Sequence, residues 1–334
     1  MTVDEMVEYF SRFTNLDVSR GVIDRYLEKA EKERIEFSDK AITEVRENEE
    51  LPGGCDVVSF GMDGVNMLIR EEGGKKGRPQ ERPKLNDDSN KVKKASYQNA
   101  MCGTVSFYCQ GDEKYERVSS HYVGQMPQKG FPDFRESFEA EVKSVLGNIE
   151  ESGRNFYKIV LCDGARPLWK YVEASDYFKG CYFLVDYYHV TEHLSKAVEV
   201  IWGKSSKEGK IVYRRWLKVL KKKSGAYRVI QSLRYYCKGL TKKKKTLVAQ
   251  EIAYLQNNAS KMDYHFFVER GFPIGSGVTE AACKSIVKQR MCRSGMRWNK
   301  NGGTGQLILT MRSIIKSGRW DHYWQEFQDI KMVA

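Results

Sequence analysis

Apolar positions recur at helical spacing over the first fifty residues. Val3–Phe13 shows this periodicity, a short polar break spans 14–17, and Val18–Ala30 and Ile35–Glu47 read as second and third helices. Two short helices around a tight break resemble a helix-turn-helix, although the segment is acidic overall, which argues against it as the main DNA contact. Pro52–Gly54 closes the helical region, and the pattern then changes. Asp56–Arg70, rich in Val and Ile, reads as a strand passing through Asp63. Glu71–Lys94 is charged, contains Gly and Pro, and reads as a mobile surface loop. Ala95–Cys109 and Tyr115–Gln125 follow as strands, and these three strands suit an antiparallel meander. Asp133–Gly147 puts Phe134, Phe138, Val142 and Leu146 on one face of a helix. Tyr157–Cys162 is a short apolar strand ending at Asp163, and Arg166–Phe178 reads as a helix. Cys181–Val185 is a further apolar strand ending at Asp186. Short, uniformly apolar strands of this kind are typical of parallel sheet covered by helices.

From His189 to about Glu269 the pattern is helical throughout. Within it, Lys204–Lys245 holds sixteen Lys or Arg and one acid, Glu208, interleaved with Tyr213, Trp216, Tyr227, Tyr235 and Tyr236 and just preceded by Trp202. A basic run is usually a solvated face, but this density with aromatics points to nucleic acid. The stretch from Gly271 to Trp298 opens with a loop marked by Pro273, Gly275 and Gly277. A helix is expected from about Val278 to Cys292, with Thr279 as its cap and Glu280 in its first turn. Glu280 is the only acid between Arg270 and Trp320, and Lys284, Lys288, Arg290, Arg293 and Arg297 follow it. A carboxylate there complements the helix dipole, or it binds a metal beside a phosphate-holding surface. A glycine-rich turn at 299–305 and a helix from Gln306 to Ser317 complete the pattern.

Composition narrows the partners. The 334 residues suffice for two domains or one elaborated domain, and 41% hydrophobic content supports a real core. The formal net charge of +12 favours a polyanion, nucleic acid first and an anionic membrane surface second. No apolar run approaches the roughly 20 residues a membrane span needs, and the acidic N-terminus lacks the order of a signal peptide. The expected setting is therefore the cytoplasm, in association with the nucleoid. Eight scattered cysteines include no CxxC pair, so they read as small core residues in a reducing compartment rather than zinc ligands.

The chemistry centres on acids. Asp63 lies within a strand, Asp163 and Asp186 each follow one, and strand ends are where sites are built in open α/β sheets. Any one Asp is also an ordinary turn former or cap. Adjacent carboxylates repel unless a cation neutralises them, and oxygen-only ligands favour Mg²⁺ or Mn²⁺. Two such ions about 3.5–4 Å apart serve phosphodiester chemistry. A rival reading comes from His189, Glu192 and His193, an HxxEH arrangement like that of inverted zinc peptidases. No third ligand is marked for it, and His189 could instead hydrogen-bond Asp186.

Several blocks resemble the DDE-type transposases of bacterial insertion sequences, in particular the ISKra-type group, which is related to mutator-like transposases. They are MDGVNM at 62–67, LCDGARPLW at 161–169, LVDYYHVTEHL at 184–194, the long PIGSGVTEAACKSIVKQRMCRSGMRW at 273–298, and SGRWDHYW at 317–324. The resemblance spans roughly Asp56 to Phe327. It implies an α/β fold of ribonuclease H-like type, a mixed five-stranded sheet flanked by helices, with an all-helical insertion before the catalytic Glu helix. It implies Asp63, Asp163 and Glu280 as the catalytic, metal-binding triad, with Asp186 and His189 as accessory residues.

The expected organisation is an N-terminal helical segment at 1–50, the first part of a catalytic core at 55–188, a basic helical insertion at 189–270, and the core's C-terminal helices at 271–334. The expected activity is DNA cleavage and strand transfer with two Mg²⁺ or Mn²⁺ ions. The partner would be double-stranded DNA, both element ends and target, bound by a homodimer. Lys221, Lys222, Lys223, Lys242, Lys243, Lys244, Lys284, Lys288, Arg290, Arg293, Arg297 and Trp298 are the candidate DNA contacts. The alternatives are a domesticated, catalytically silent DNA-binding protein and the zinc peptidase.

Overall fold

The computed structural model describes residues 3–14, 16–70, 95–299 and 303–333. The charged stretch expected as a loop at 71–94 falls outside the described residues. Within them the chain is a mixed α/β protein built on a mixed six-stranded sheet. Strands β1 (Cys55–Arg70), β2 (Ser96–Gln110) and β3 (Tyr115–Gln125) form the antiparallel meander. Strand β4 (Tyr157–Cys162) pairs parallel to β1, and β5 (Tyr182–Val185) parallel to β4. The order is β3-β2-β1-β4-β5, and the two-residue β6 (Trp298–Asn299) adds to the far end of β1. Five strands were expected. The sixth is too short to show a periodicity.

Before the sheet come α1 (Val3–Phe13), α2 (Arg20–Glu33) and α3 (Asp39–Glu47). A π-helical turn, Arg34–Ser38, joins α2 to α3, so the second and third helices, expected at 18–30 and 35–47, run on without a break. After β3 come α4 (Pro132–Glu151) and, beyond β4, α5 (Arg166–Ala174). The helical stretch after β5 is α6 (Tyr187–Trp202), α7 (Lys207–Leu220), α8 (Gly225–Cys237), α9 (Lys242–Asn258) and α10 (Tyr264–Glu269). The chain then forms α11 (Gly277–Ala282), a π-helical stretch Cys283–Lys288, α12 (Gln289–Met291), α13 (Gly303–Lys316) and α14 (Trp320–Val333). Among the described residues no helix is long and apolar enough to cross a membrane.

Alternation along the strands covers both faces of the sheet. Gly103 faces α4, where a Cβ would collide with the Phe138 ring. Its neighbours Cys102 and Thr104 point the other way, toward Cys283 and Thr279. Phe134 and Phe138 stack with centroids 5.5 Å apart in the core beneath α4. On the opposite face Val65, Met67, Ile69 and Cys102 pack against Cys283, Ile286, Val287, Met291 and Leu309. Burial of such side chains is worth about 1.5–3 kcal/mol each before entropy is counted.

The chain's two ends meet at a buried charge network. Arg319, between α13 and α14, donates to both Glu49 and Glu141. Arg46 donates to Glu141 at 2.7 Å, and His121 bridges Glu49 and Glu141. Burial alone would raise Glu141, but Arg319, His121 and Arg46 hold it well below its usual range. Glu49, His121 and Glu141 lie close enough to hold an ion. The Arg319 guanidinium already supplies their cation.

The cysteines depart from expectation at one place. Cys55 and Cys109 face each other across the start of β1 and the end of β2 and form a disulfide. They lie 54 residues apart in sequence, so no local spacing announced the pair. Cys102, Cys162 and Cys283 are buried thiols, as read.

Candidate active site

The parallel register aligns three acids. Phe60 opposes Val160, so three residues further Asp63 comes level with Asp163. Cys162 opposes Val185, so the next step brings Asp163 beside Asp186. Asp63 sits on the central strand on the same face as Gly61. Burial is the main force raising the Asp63 carboxyl above its usual range, and the Asp163 charge adds to it. Hydrogen bonds from the Gly64 amide (2.6 Å) and the Cys283 thiol (3.6 Å) oppose the shift. Asp163 accepts from the Ala165 amide at 2.9 Å, an Asx turn, while its carbonyl accepts from the Trp169 indole at 2.7 Å.

Asp186 is differently employed. It is fully buried, and both of its oxygens are occupied. Oδ1 accepts from the amides of Tyr188 (2.5 Å) and His189 (3.0 Å), capping α6. Oδ2 accepts from both the amide and the hydroxyl of Ser276. Burial would raise its pKa, but these donors and His189 outweigh burial and bring it down to about 2. The Tyr187 amide donates to the Ile274 carbonyl at 2.9 Å, completing the clamp. The Pro273–Gly277 segment is therefore a strap that fastens the start of α11 to the end of β5.

That strap delivers Glu280. Its carboxylate shares a cluster with Asp186 and His189, their ligand atoms all within 4.8 Å of one another. The expected cap is corrected: the residue at the start of α11 is Ser276, and Thr279 is buried, bonded to Thr104 at 2.8 Å. Thr279 sits against Gly61, where a Cβ would collide with its hydroxyl. Glycine there lets the helix bearing Glu280 approach β1. One turn further, the Cys283 thiol reaches Asp63. The neighbouring Cys102, burial and the Asp63 charge all push that thiol up, so it keeps its proton and donates.

His189 is raised to about 9, first by Asp186, with Asp163 and Glu192 adding to the effect. Its Nδ1 lies 3.8 Å from Asp186 Oδ1, an ion pair too long for a hydrogen bond. His193 does not join it. Its Nδ1 meets Glu251 of α9 at 2.5 Å, and its ring stacks on Tyr254 at 3.5 Å. Among the described residues, the clusters able to hold an ion include His189 and omit His193.

The basic candidates divide. Lys221, Lys222 and Lys223 are exposed on the α7–α8 turn, and Lys221 lies over the Tyr187 ring at 4.7 Å, next to Asp186. Lys242, Lys243 and Lys244 are exposed in the first turn of α9, and Lys244 reaches the Ile201 carbonyl at 3.4 Å. Lys284, Lys288, Arg293 and Arg297 are exposed, and Arg290 is half-buried. Trp298 is half-buried, and its indole donates to the Met291 carbonyl at 2.8 Å. The interleaved aromatics divide too. Trp202, Trp216 and Tyr236 form an internal cluster, whereas Tyr227 and Tyr235 are 59% and 69% exposed.

Sequence reasoning missed Ser276, Cys283, Tyr254 and the Gly61–Thr279 contact. The one local signal was Gly61, two residues before Asp63 on the same face. No protein-family profile matches the chain, and no curated protein matches it.

Proposed function

We propose that this protein is a DNA transposase of the DDE type, built on a ribonuclease H-like core. The observation that carries the reading is the level register of Asp63 and Asp163 beneath the helix that brings Glu280. The strand order β3-β2-β1-β4-β5 supports the fold reading, since it is a mixed sheet with its acids at the parallel ends. The resemblance of the 273–298 block supports the family.

The donor set fits hard divalent ions. Two half-buried carboxylates repel each other at the sheet end, and a third acid stands in the adjoining cluster. Asp63, Asp163 and Glu280 would hold the two Mg²⁺ or Mn²⁺ ions. Bound there, such ions activate an attacking oxygen and offset charge on the leaving one. Asp186 keeps both oxygens on backbone and Ser276, which suits it to holding His189 rather than an ion. A protonated His189 places positive charge beside Glu280, where a phosphate's charge would be held. The lysines of the α7–α8 turn would bind the DNA backbone near the same end of the sheet. The reaction is hydrolysis at the element ends, followed by attack of the freed 3′-hydroxyl on target DNA. The peptidase reading draws no support, because His193 is committed to Glu251 and Tyr254.

The test uses a plasmid carrying the DNA that flanks the coding region, incubated with the purified protein and Mg²⁺. The expected product is strand breaks bearing 3′-hydroxyls at the element boundaries, absent without divalent metal. Duplex binding without cleavage under any divalent ion would leave the silent DNA-binding protein.

A further inference from the structure

The turn that carries Asp163 is gripped from two sides. From α5, the Trp169 indole holds the Asp163 carbonyl. From the insertion, the Tyr254 ring of α9 lies directly on Gly164, the residue after Asp163, so closely that a Cβ there would collide with the phenol. Tyr254 is itself held. Its ring stacks on His193 of α6, with an interplanar angle of 16°, and Glu251, one turn earlier on α9, binds the His193 Nδ1. Just beyond α9, Lys261 pairs with Glu173 at 2.7 Å and sits over the Trp169 ring at 5.1 Å. Two contacts from the insertion thus converge on the Asp163 turn.

The Tyr254 hydroxyl is buried, and the Gly164 backbone acts on it. The ring is placed by its contact with Gly164 and its stack on His193. α6 has a double duty: His189 stands in the acidic cluster, and four residues on, His193 braces Tyr254. The same α9 begins with the exposed lysines Lys242, Lys243, Lys244 and Lys245.

We propose that Tyr254 is a positioning residue for Asp163, through which the helical insertion sets the geometry of the carboxylate site. The inference rests on the reading of Asp63, Asp163 and Glu280 as the metal-holding set. Without the wedge, the Gly164 turn gains room, and Asp163 loses its fixed relation to Asp63. Residues that orient metal ligands from behind commonly carry a tenfold or larger share of affinity.

The experiment compares the full-length wild type with Tyr254→Ala, Tyr254→Phe and His193→Ala, using amide hydrogen exchange and Mn²⁺ titration. Tyr254→Ala should speed exchange at residues 164–166 by at least about tenfold while amides within β4 stay protected. It should weaken Mn²⁺ binding by about tenfold or more, with duplex affinity unchanged. Tyr254→Phe keeps the ring and its stack but loses the hydroxyl that meets Gly164, and should shift both readouts by less than Tyr254→Ala. His193→Ala should shift both readouts in the direction of Tyr254→Ala, and it stands in should that variant fail to fold. Unchanged exchange at 164–166 overturns the proposal, and so does loosening spread evenly through α6–α9 and β4. If wild type binds no Mn²⁺ but the exchange pattern holds, the metal reading fails and the positioning contact stands.

Discussion

At the scale of single residues, the three level aspartates are not equivalent, and their hydrogen bonds say why. Asp63 and Asp163 each accept from a neighbouring backbone amide, with the Cys283 thiol also reaching Asp63, whereas Asp186 is saturated by four donors. Asp63→Asn, Asp163→Asn and Glu280→Gln should each reduce strand cleavage to background and leave duplex affinity intact, as read by a nicking assay beside a binding titration. Asp186→Asn should keep measurable turnover but lower stability by about 2 kcal/mol, since charge-assisted hydrogen bonds are lost. The Asp186–His189 pair also sets a pH dependence. His189 titrates at about 9 rather than 6.5, so its contribution is complete below pH 6.5 and lost as pH rises through 9. Asp186, lowered from 3.8 to about 2, contributes above pH 3.8 and loses its share as pH falls through 2. With divalent ions chelated, the wild-type Tm should fall between pH 6.5 and 9.5. His189→Gln should melt lower at pH 6 and show a flatter profile, and equal slopes would dismiss the pair. The acids were legible because each ends or interrupts an apolar strand. Ser276 was not, because its partner lies ninety residues away.

At the scale of elements, the site depends on how closely α11 approaches β1. Gly61→Ala would insert a methyl against the paired hydroxyls of Thr279 and Thr104, and such overpacking costs about 1–3 kcal/mol. Thermal melting should show that loss. Cleavage should fall further than stability accounts for, because the displaced helix carries Glu280. The basic turn makes a separate claim. Replacing Lys221, Lys222 and Lys223 by Gln should flatten the dependence of log affinity on log salt by ~0.9 for each phosphate contact removed. An unchanged slope would take the turn out of the DNA interface. Strand and helix boundaries were well marked where periodicity is strong: Val3–Phe13, Tyr115–Gln125 and Tyr157–Cys162 match the reading. The π-helical turns at Arg34–Ser38 and Cys283–Lys288 were not, since a single turn is too short for its spacing to stand apart from the α-helical pattern around it.

At the scale of the whole molecule, the chain's ends close on the sheet around Arg319, and α9 closes on the Asp163 turn through Tyr254. The α/β class and the helical run after β5 could be read from pattern alone. The pairing order of the strands and the docking of α3 on α14 could not, because they rest on contacts between residues far apart in sequence, such as Tyr323 with Ser38. The central claim is that Asp63, Asp163 and Glu280 form one metal-holding site. It is tested most directly by a crystal structure of the protein soaked in Mn²⁺, with the ions located by anomalous scattering. The account predicts an ion bridging Asp63 and Asp163, with Glu280 completing its ligands and Asp186 still bound to Ser276. An ion held by Asp186 and His189, with Asp63 and Asp163 outside its coordination, would contradict it.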